Sequence, residues 1–423
     1  METIEVLTEA EMGKEFCLKR EERRDRKMED QKQILTESIS THELERRWKE
    51  VRTKMKEENF DFLIMQNDNE WLGGCVKWFT DIPARNGYPM TVIFPVDDEM
   101  TTITCGGRPP GDLGPPAWTM RGVKRRLTAP YFRSIRYSNT YDAKLAVETL
   151  KVKKKGKIGI IGKGLMSATF YEHLKKNLPE AIFIEATDLV DQIKAIKSDE
   201  EISMIKKTVA LQDEAMAYAK NVIRPGRKDF EIIADIIHKV TDLGSEEQLV
   251  IGGSGPVGKP VPMQKRHFQN RTVQEGDQFT LMIEVNGPGG MYAEAGRVFF
   301  VGKAPSELKD AFEMAIEAQR VTLKLLKPGA DPAEIWKANN QFLIQKGFPP
   351  ETRLYAHGQG YDLVERPAIR DDEPMRLEAR MNITVHPIIG TERVWVWVCD
   401  NYLITESGVS GCLHKTPQEI FEV

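Results

Sequence analysis

The chain has 423 residues, of which 40% are hydrophobic and 29% are charged, and its formal net charge is -4. A charge of this size leaves no basic footprint for nucleic acid, and no apolar run is long enough to span a membrane. The five cysteines are too sparse for a disulfide framework, and the charged N-terminal segment lacks a signal-peptide core, which together predict a cytoplasmic protein.

The first part of the chain predicts a helical arm and then an α/β domain. Residues 1–45 are rich in charged helix formers and predict an N-terminal helical arm. Short apolar runs of strand type follow at DFLIMQ, MTVIFPV, MTTITCG and KIGIIG, in alternation with helical patterns. Such alternation is typical of α/β domains, so we expect one over residues 46–188.

From residue 189 onwards the pattern changes to long helices and longer strands. Ser198, with Glu201 three residues later, fits a capping box within a long helical pattern. The hydrophobic pattern predicts helices at 306–326 and 331–346, and strands at 278–286, 291–301, 380–389 and 393–405. Residues 189–423 are therefore predicted to form a second domain.

Four segments of this second domain read GDQFTLMIEVNGPGGMYAEAGRVFFVG, YAHGQGYDLVERP, RMNITVHPIIG and VWVWVCDNYLITESG. They resemble the site segments of the pita-bread family, which includes creatinase, aminopeptidase P and prolidase. The resemblance implies an α/β (α+β) protein, in which a creatinase-like N-terminal domain precedes a pita-bread domain with helices over a curved antiparallel sheet. It also implies a homodimer, because subunits of this family commonly pair.

The family pattern of metal-site residues falls on ionisable residues of this chain. Glu294 takes the position of the second of two strand aspartates, and His357 in AHGQG takes the position of a histidine. The family spacing of eleven residues places the first aspartate at Ile283, so Glu284, the nearest carboxylate, takes that position if the hairpin between the strands is one residue shorter. Glu365 is kept from the family pattern, and Arg297 stands where the family also has an arginine. The resemblance therefore implies that these five side chains belong to one site.

Two positions depart from the family pattern. His386 and Cys399 each stand where the family has a glutamate. Replacing two carboxylates with imidazole and thiol removes negative charge that a two-metal centre needs, so we expect no dinuclear centre. The sequence favours no metal, and the alternative is a single zinc or iron ion. The donors for that ion would be Glu294, His357, His386 and Cys399.

The resemblance and these departures together predict a hydrolase that cleaves a C–N bond in a small, polar, cationic, non-peptide substrate. The predicted catalytic residues are His357 and His386, as an acid–base pair, and Glu294. Glu284 would hold the positive group of the substrate together with Glu294. The remaining predicted substrate contacts are Arg297, which would set the charge of the two carboxylates, Glu365, Cys399 and Trp397, the last as an aromatic wall.

Three other functions stay open. The first is a metal-dependent Xaa-Pro-type aminopeptidase or dipeptidase with an altered metal site. An upstream histidine of the family is replaced by Pro262 here, which weakens this alternative. The second is a lyase that resembles the dimethylsulfoniopropionate lyases of this fold. The third is a non-catalytic protein that binds peptides or partners through the same pocket.

Overall fold

The computed structural model describes residues 37–107, 115–130, 132–153 and 155–423. Most of the predicted arm, residues 1–36, lies outside the described residues. Helix α1 (Thr41–Glu57) begins within the remainder of the arm, where the side chain of Ser40 accepts a hydrogen bond from the backbone N–H of Glu43. Because α1 buries its apolar face against the first domain, the predicted boundary at residue 45 falls inside a helix.

A six-stranded mixed sheet forms the centre of the N-terminal domain, with strand order β4-β3-β2-β1-β5-β6. Alternate residues of β1 point to opposite faces, so Leu63 packs with α1 while Ile64 packs with the helices on the other face. The predicted α/β architecture is confirmed. The elements are β1 (Phe62–Asn67), α2 (Gly74–Thr80), β2 (Met90–Pro95), β3 (Met100–Cys105), β4 (Val123–Ala129), α3 (Tyr141–Leu150), β5 (Lys157–Ile161), α4 (Ala168–Asn177), β6 (Ile182–Glu185) and α5 (Thr187–Lys194).

The second domain begins with a capped helix. Ser198 accepts a hydrogen bond from the backbone N–H of Glu201, whose carboxylate accepts the backbone N–H of Ser198. The predicted capping box is therefore confirmed, and it separates α5 from α6. The helices of this domain are α6 (Asp199–Val222), α7 (Asp229–Asp242), α8 (Ser306–Leu323) and α9 (Pro332–Gln345). Among the helices of the described ranges, none combines the length and apolar character needed to cross a membrane.

The strands of the second domain form two main sheets, β17-β9-β8-β7 and β11-β10-β12-β15-β16, and a hairpin of β13 and β14. The two sheets meet where Gly296 and Cys399 exchange backbone hydrogen bonds of 3.1 and 3.2 Å. The strands are β7 (Gln248–Pro256), β8 (Asp277–Asn286), β9 (Tyr292–Phe300), β10 (Ala356–Gly358), β11 (Glu365–Ala368), β12 (Asn382–Val385), β13 (Ile388–Gly390), β14 (Trp395–Trp397), β15 (Asp400–Thr405), β16 (Gly408–Val409) and β17 (Phe421–Glu422).

Both of the last two predicted strands are interrupted. The segment 380–389 divides into β12 and β13 at His386 and Pro387, because proline has no backbone N–H for the ladder. The segment 393–405 divides into β14 and β15 around Cys399. Each interruption falls on a residue that the sequence singled out, and each lies at the junction of the sheets.

Candidate functional site

A pair of buried glutamates lies at the centre of the site. Glu284 on β8 and Glu294 on β9 stand directly opposite each other in the ladder, so their side chains share one face of the sheet. Both are buried, with 4% and 3% of their surface exposed. Burial and the charge of Glu294 raise the pKa of Glu284 well above its usual value. Burial raises the pKa of Glu294 to about 7, so at neutral pH Glu284 keeps its proton while Glu294 is partly ionised.

A chain of buried amides connects the two glutamates. The backbone N–H of Glu294 donates to Asn401 Oδ1 at 2.8 Å, and Asn401 Nδ2 donates to Gln359 Oε1 at 2.9 Å. Gln359 Nε2 then donates to Glu284 Oε1 at 2.9 Å. Since a backbone N–H can only donate, the first bond fixes the orientation of both side-chain amides. The chain therefore holds Glu284 in one position with neutral donors.

Two histidines face the glutamate pair from the second sheet. His357 lies on β10 and His386 follows β12, with their ring centroids 5.2 Å apart. His357 Nδ1 is 2.9 Å from the carbonyl oxygen of Gly358, which fixes the proton on Nδ1 and leaves Nε2 free to accept. Burial lowers the pKa of His357 to about 4. Burial and the neighbouring His357 lower the pKa of His386 well below its usual value, so both rings are neutral at pH 7.

Three of these side chains are close enough to share one metal ion. One ligand atom each from Glu294, His357 and His386 lies within 4.8 Å of the other two. His386 Nε2 is 3.9 Å from Glu294 Oε2 and has no hydrogen-bond partner among the described residues. The Nδ1 of His357 is bound to a backbone carbonyl, which is the usual second contact of a metal-ligating histidine. This donor set fits a single divalent ion.

Cys399 was predicted as a fourth donor, but the structure leaves it outside this group. Its sulfur lies 3.2 Å from Thr384 Oγ1 and donates to the backbone oxygen of Glu294 at 3.4 Å. Burial and the charge of Glu294 raise the thiol pKa well above its usual value, so the sulfur keeps its proton. A metal needs the thiolate form, and this environment disfavours it.

Arg297 does not set the charge of the glutamate pair. It lies three residues beyond Glu294 on β9 and therefore on the opposite face of the strand. Its Nη2 donates to Asp400 Oδ1 at 2.7 Å, and its other donors bind the backbone oxygens of Gly296, Cys399, Thr416 and Pro417. The predicted role of Arg297 is wrong, because its buried donors are already occupied.

Glu365 is also separated from the pair by its own partners. Lys197 Nζ lies 2.6 Å from Glu365 Oε2, and Lys194 Nζ lies 3.4 Å from Oε1. Burial alone would raise the pKa of Glu365, but the two lysines outweigh it and hold the pKa at about 2. The predicted substrate contact is therefore a structural ion pair in this conformation.

Trp397 lies beside the histidines, with its ring centroid 6.2 Å from that of His386. Its Nε1 has no hydrogen-bond partner among the described residues.

The amides Gln359 and Asn401 are the site residues that the sequence analysis missed. Their signal was present, since a glutamine between two glycines and an asparagine on an apolar strand are polar side chains in buried segments.

Comparisons with known proteins agree with this fold. Residues 203–406, which include every residue of the glutamate–histidine group, match metallopeptidase family M24. The probable dipeptidase PepE of Mycobacterium tuberculosis is 26% identical over 238 residues, 54% of this chain but only 62% of that protein. The ectoine hydrolase of Halomonas elongata is 27% identical over 281 residues, 62% of this chain and 70% of that protein. The crystal structure of an X-Pro aminopeptidase from Thermotoga maritima has a TM-score of 0.72 at 20% identity, covering 89% of this chain and 99% of its own.

Proposed function

Because its second domain makes this chain a member of metallopeptidase family M24, we propose that it is a hydrolase of a small, polar, cationic, non-peptide substrate. The bond cleaved is a C–N bond. One relative is named for the hydrolysis of ectoine, which supports a search beyond peptides. The homodimer implied by the family resemblance remains a prediction.

The observation that carries this proposal is the uncompensated glutamate pair. Within the described residues, neither Glu284 nor Glu294 has a lysine or arginine as a hydrogen-bond or ion-pair partner. Arg353 is close enough to lower the pKa of Glu294, but burial outweighs it. A buried carboxylate without a cationic partner is costly, so the pair favours a ligand that brings a positive charge.

The protonation states suit general acid–base hydrolysis. A neutral imidazole can accept a proton from water, and His357 Nε2 is the nitrogen left free for it. Glu284 retains its proton at neutral pH, so it can donate that proton to the leaving nitrogen. Glu294 then stabilises the positive charge that the imidazole gains. In this scheme His357 acts as the base because its pKa is lowered, and Glu284 acts as the acid because its pKa is raised.

The same residues would hold one divalent metal. Glu294, His357 and His386 supply one oxygen and two nitrogens, and the unpartnered Nε2 of His386 is a buried atom that such an ion would satisfy. A bound zinc or iron ion supplies a water of lowered pKa at neutral pH. The other group of possible donors among the described residues, Asp400, Cys412 and His414, shares no residue with the glutamate–histidine group, and Cys399 belongs to neither group. We therefore infer a centre with at most one metal.

The runner-up is a metal-dependent Xaa-Pro-type peptidase, which the likeness to PepE and to the T. maritima enzyme favours. Protein purified without chelator and analysed for metal separates the two functions. Two equivalents of manganese, cobalt or zinc, together with cleavage of Xaa-Pro dipeptides, would overturn the proposal. At most one equivalent, with release of amine or ammonia from an amidine, urea or betaine, supports it. A volatile thioether product would instead identify a lyase.

Histidine variants test the catalytic assignment on whichever substrate the screen returns. We expect His386→Asn and His357→Asn each to lower kcat/KM by about 10²- to 10⁴-fold, the range for removal of a general acid or base. The matched control is His238→Gln, an exposed histidine on α7, which should leave kcat/KM unchanged. Equal activity of all three variants and the wild type would place the chemistry elsewhere, whereas a screen that returns ligands but no hydrolysed substrate would favour a non-catalytic binding role.

A further inference from the structure

The indole N–H of Trp397 is a buried donor without an acceptor. Only 1% of the residue is exposed, and its Nε1 has no partner among the described residues. An indole N–H can only donate, and a buried one normally finds an acceptor. A lost hydrogen bond of this kind costs about 1–3 kcal/mol. The indole N–H groups of Trp78 and Trp336 are also buried without a partner among the described residues, so a missing acceptor indicates a ligand only where the indole lies beside the candidate site.

The position of the indole assigns that ligand to the glutamate–histidine group. A Cβ on Gly296 would come within 2.5 Å of Trp397 Cε2, the carbon bonded to Nε1, so the ring lies directly on this glycine. Gly296 is two residues beyond Glu294 on β9, and its missing side chain would share the face of the Glu294 carboxyl group. The indole also lies beside the ring of His386, with the ring centroids 6.2 Å apart, and His386 Nε2 is unpartnered among the described residues as well.

We propose that Trp397 Nε1–H is a specificity-determining donor that binds an oxygen of the substrate. The substrate would thus combine a cationic group, placed at Glu284 and Glu294, with a carboxylate or carbonyl oxygen placed at Trp397. The class is a small zwitterion or an acylated cation rather than a simple amine. This inference rests on the proposed function, since it assumes a cation at the glutamate pair.

Matched ligands test the proposal through binding alone, so that failure to hydrolyse them does not affect the result. Betaine and ethyltrimethylammonium differ by a carboxylate in place of a methyl group, as do guanidinoacetate and ethylguanidine. We expect isothermal titration to give about 10-fold or greater preference for the carboxylate member of the better-binding pair. Trp397→Phe should abolish this preference while keeping the affinity for the other member. The matched control Trp395→Phe, on the same strand, should retain the preference.

The wild-type protein provides a readout that does not depend on how the variant folds. With ¹⁵N-labelled tryptophan, the indole N–H resonance of Trp397 should move downfield and exchange more slowly when the carboxylate ligand is added. Its methyl-bearing counterpart should leave the resonance in place. An equal response to both members, or an unchanged preference in Trp397→Phe, would overturn the inference. Hydrolysis without any indole response would overturn it while leaving the proposed function intact.

Discussion

Two groups of fully buried glutamates in the same domain have opposite acid–base behaviour. Glu365 faces Lys194 and Lys197, and its pKa is held at about 2. Glu284 and Glu294 face each other, neutral amides and neutral imidazoles, and their pKa values are raised. Burial opposes the charged form in both groups, so the difference comes from the partners. The negative charge of Glu365 is neutralised by lysines of the protein, whereas that of the pair is left to be neutralised by a proton, a metal or a substrate.

This difference identifies the site better than burial does. Arg297 and Asp400 form a second completed pair nearby, at 2.7 Å and with no exposed surface on either side chain. Such ion pairs hold the strands around the site in position. Buried carboxylates without a cationic partner instead favour the binding of a cation. Glu365, which has lysine partners, and the pair of Glu284 and Glu294, which has none among the described residues, should therefore respond differently to substitution, pH and metal.

The largest expected difference is in folding stability. Glu365→Gln should lower the free energy of unfolding by about 3–5 kcal/mol, because it leaves buried Lys197 without its carboxylate partner, while Lys194 keeps its ion pair with Asp362. Glu284→Gln should change it by less than about 1 kcal/mol, because the new amide oxygen can still accept from Gln359. Urea unfolding followed by circular dichroism measures both changes. Equal losses in the two variants would mean that Glu284 has a cationic partner in the folded protein.

The pH dependence of stability should also separate the two groups. The raised pKa of Glu294, about 7 against an unfolded value of 4.5, contributes stability that is complete below pH 4.5 and is lost as the pH rises through 7. The stability of wild type relative to Glu294→Gln should therefore fall by roughly 3 kcal/mol from pH 4.5 to 8. The depressed pKa of Glu365 contributes stability above pH 4.5 that is lost as the pH falls through 2.

Urea midpoints recorded from pH 3 to 8, with a chelator present, check these opposite slopes. Wild type relative to Glu365→Gln should stay level above pH 4.5 and should decline only below it. A level difference for Glu294→Gln across neutral pH would contradict the raised pKa of Glu294.

The sequence predicted the long elements of the fold because their patterns are local. Four apolar runs became β1, β2, β3 and β5, and the Ser198 capping box opens α6 where expected. Short edge strands such as β6 and β17 were not predictable, because neighbouring strands rather than their own residues define them. The break at Pro387 was visible in the sequence, but its consequence for the sheet depended on pairing.

Some residues of the candidate site could likewise be predicted from the sequence, and others could not. Family spacing predicted Glu294, His357 and His386, and Glu284 only as the carboxylate nearest to the expected position; the structure brings the four together. It could not predict that Lys197, 168 residues away along the chain, neutralises Glu365. No sequence spacing encodes such a contact, because the partners come from a helix-entry segment and a distant strand. Nor could spacing show that Arg297 turns towards Asp400.

A bound metal ion should neutralise the charge of Glu294, as the two lysines neutralise that of Glu365. Metal-free protein titrated with zinc should bind one equivalent, and zinc at about 100 times its dissociation constant should stabilise the fold by roughly 2.7 kcal/mol. Glu294→Gln should weaken this binding by at least about 10-fold, since it removes a charged donor. Glu284→Gln is the matched control on the facing strand. Two equivalents of bound zinc, both weakened by Glu294→Gln, would contradict a single-ion site.

The smallest expected effect is that of Cys399→Ser. The sulfur is hydrogen-bonded to Thr384 and to the backbone of Glu294, and it lies outside the group formed by Glu294, His357 and His386. Zinc affinity should therefore fall by less than the roughly 10-fold typical of losing an outer contact of a ligand. Calorimetry measures the affinity, and Co²⁺ substitution adds a spectroscopic test, because a thiolate ligand gives an intense charge-transfer band. Such a band in wild type, lost in Cys399→Ser, would place the sulfur on the metal and make Cys399 a donor after all.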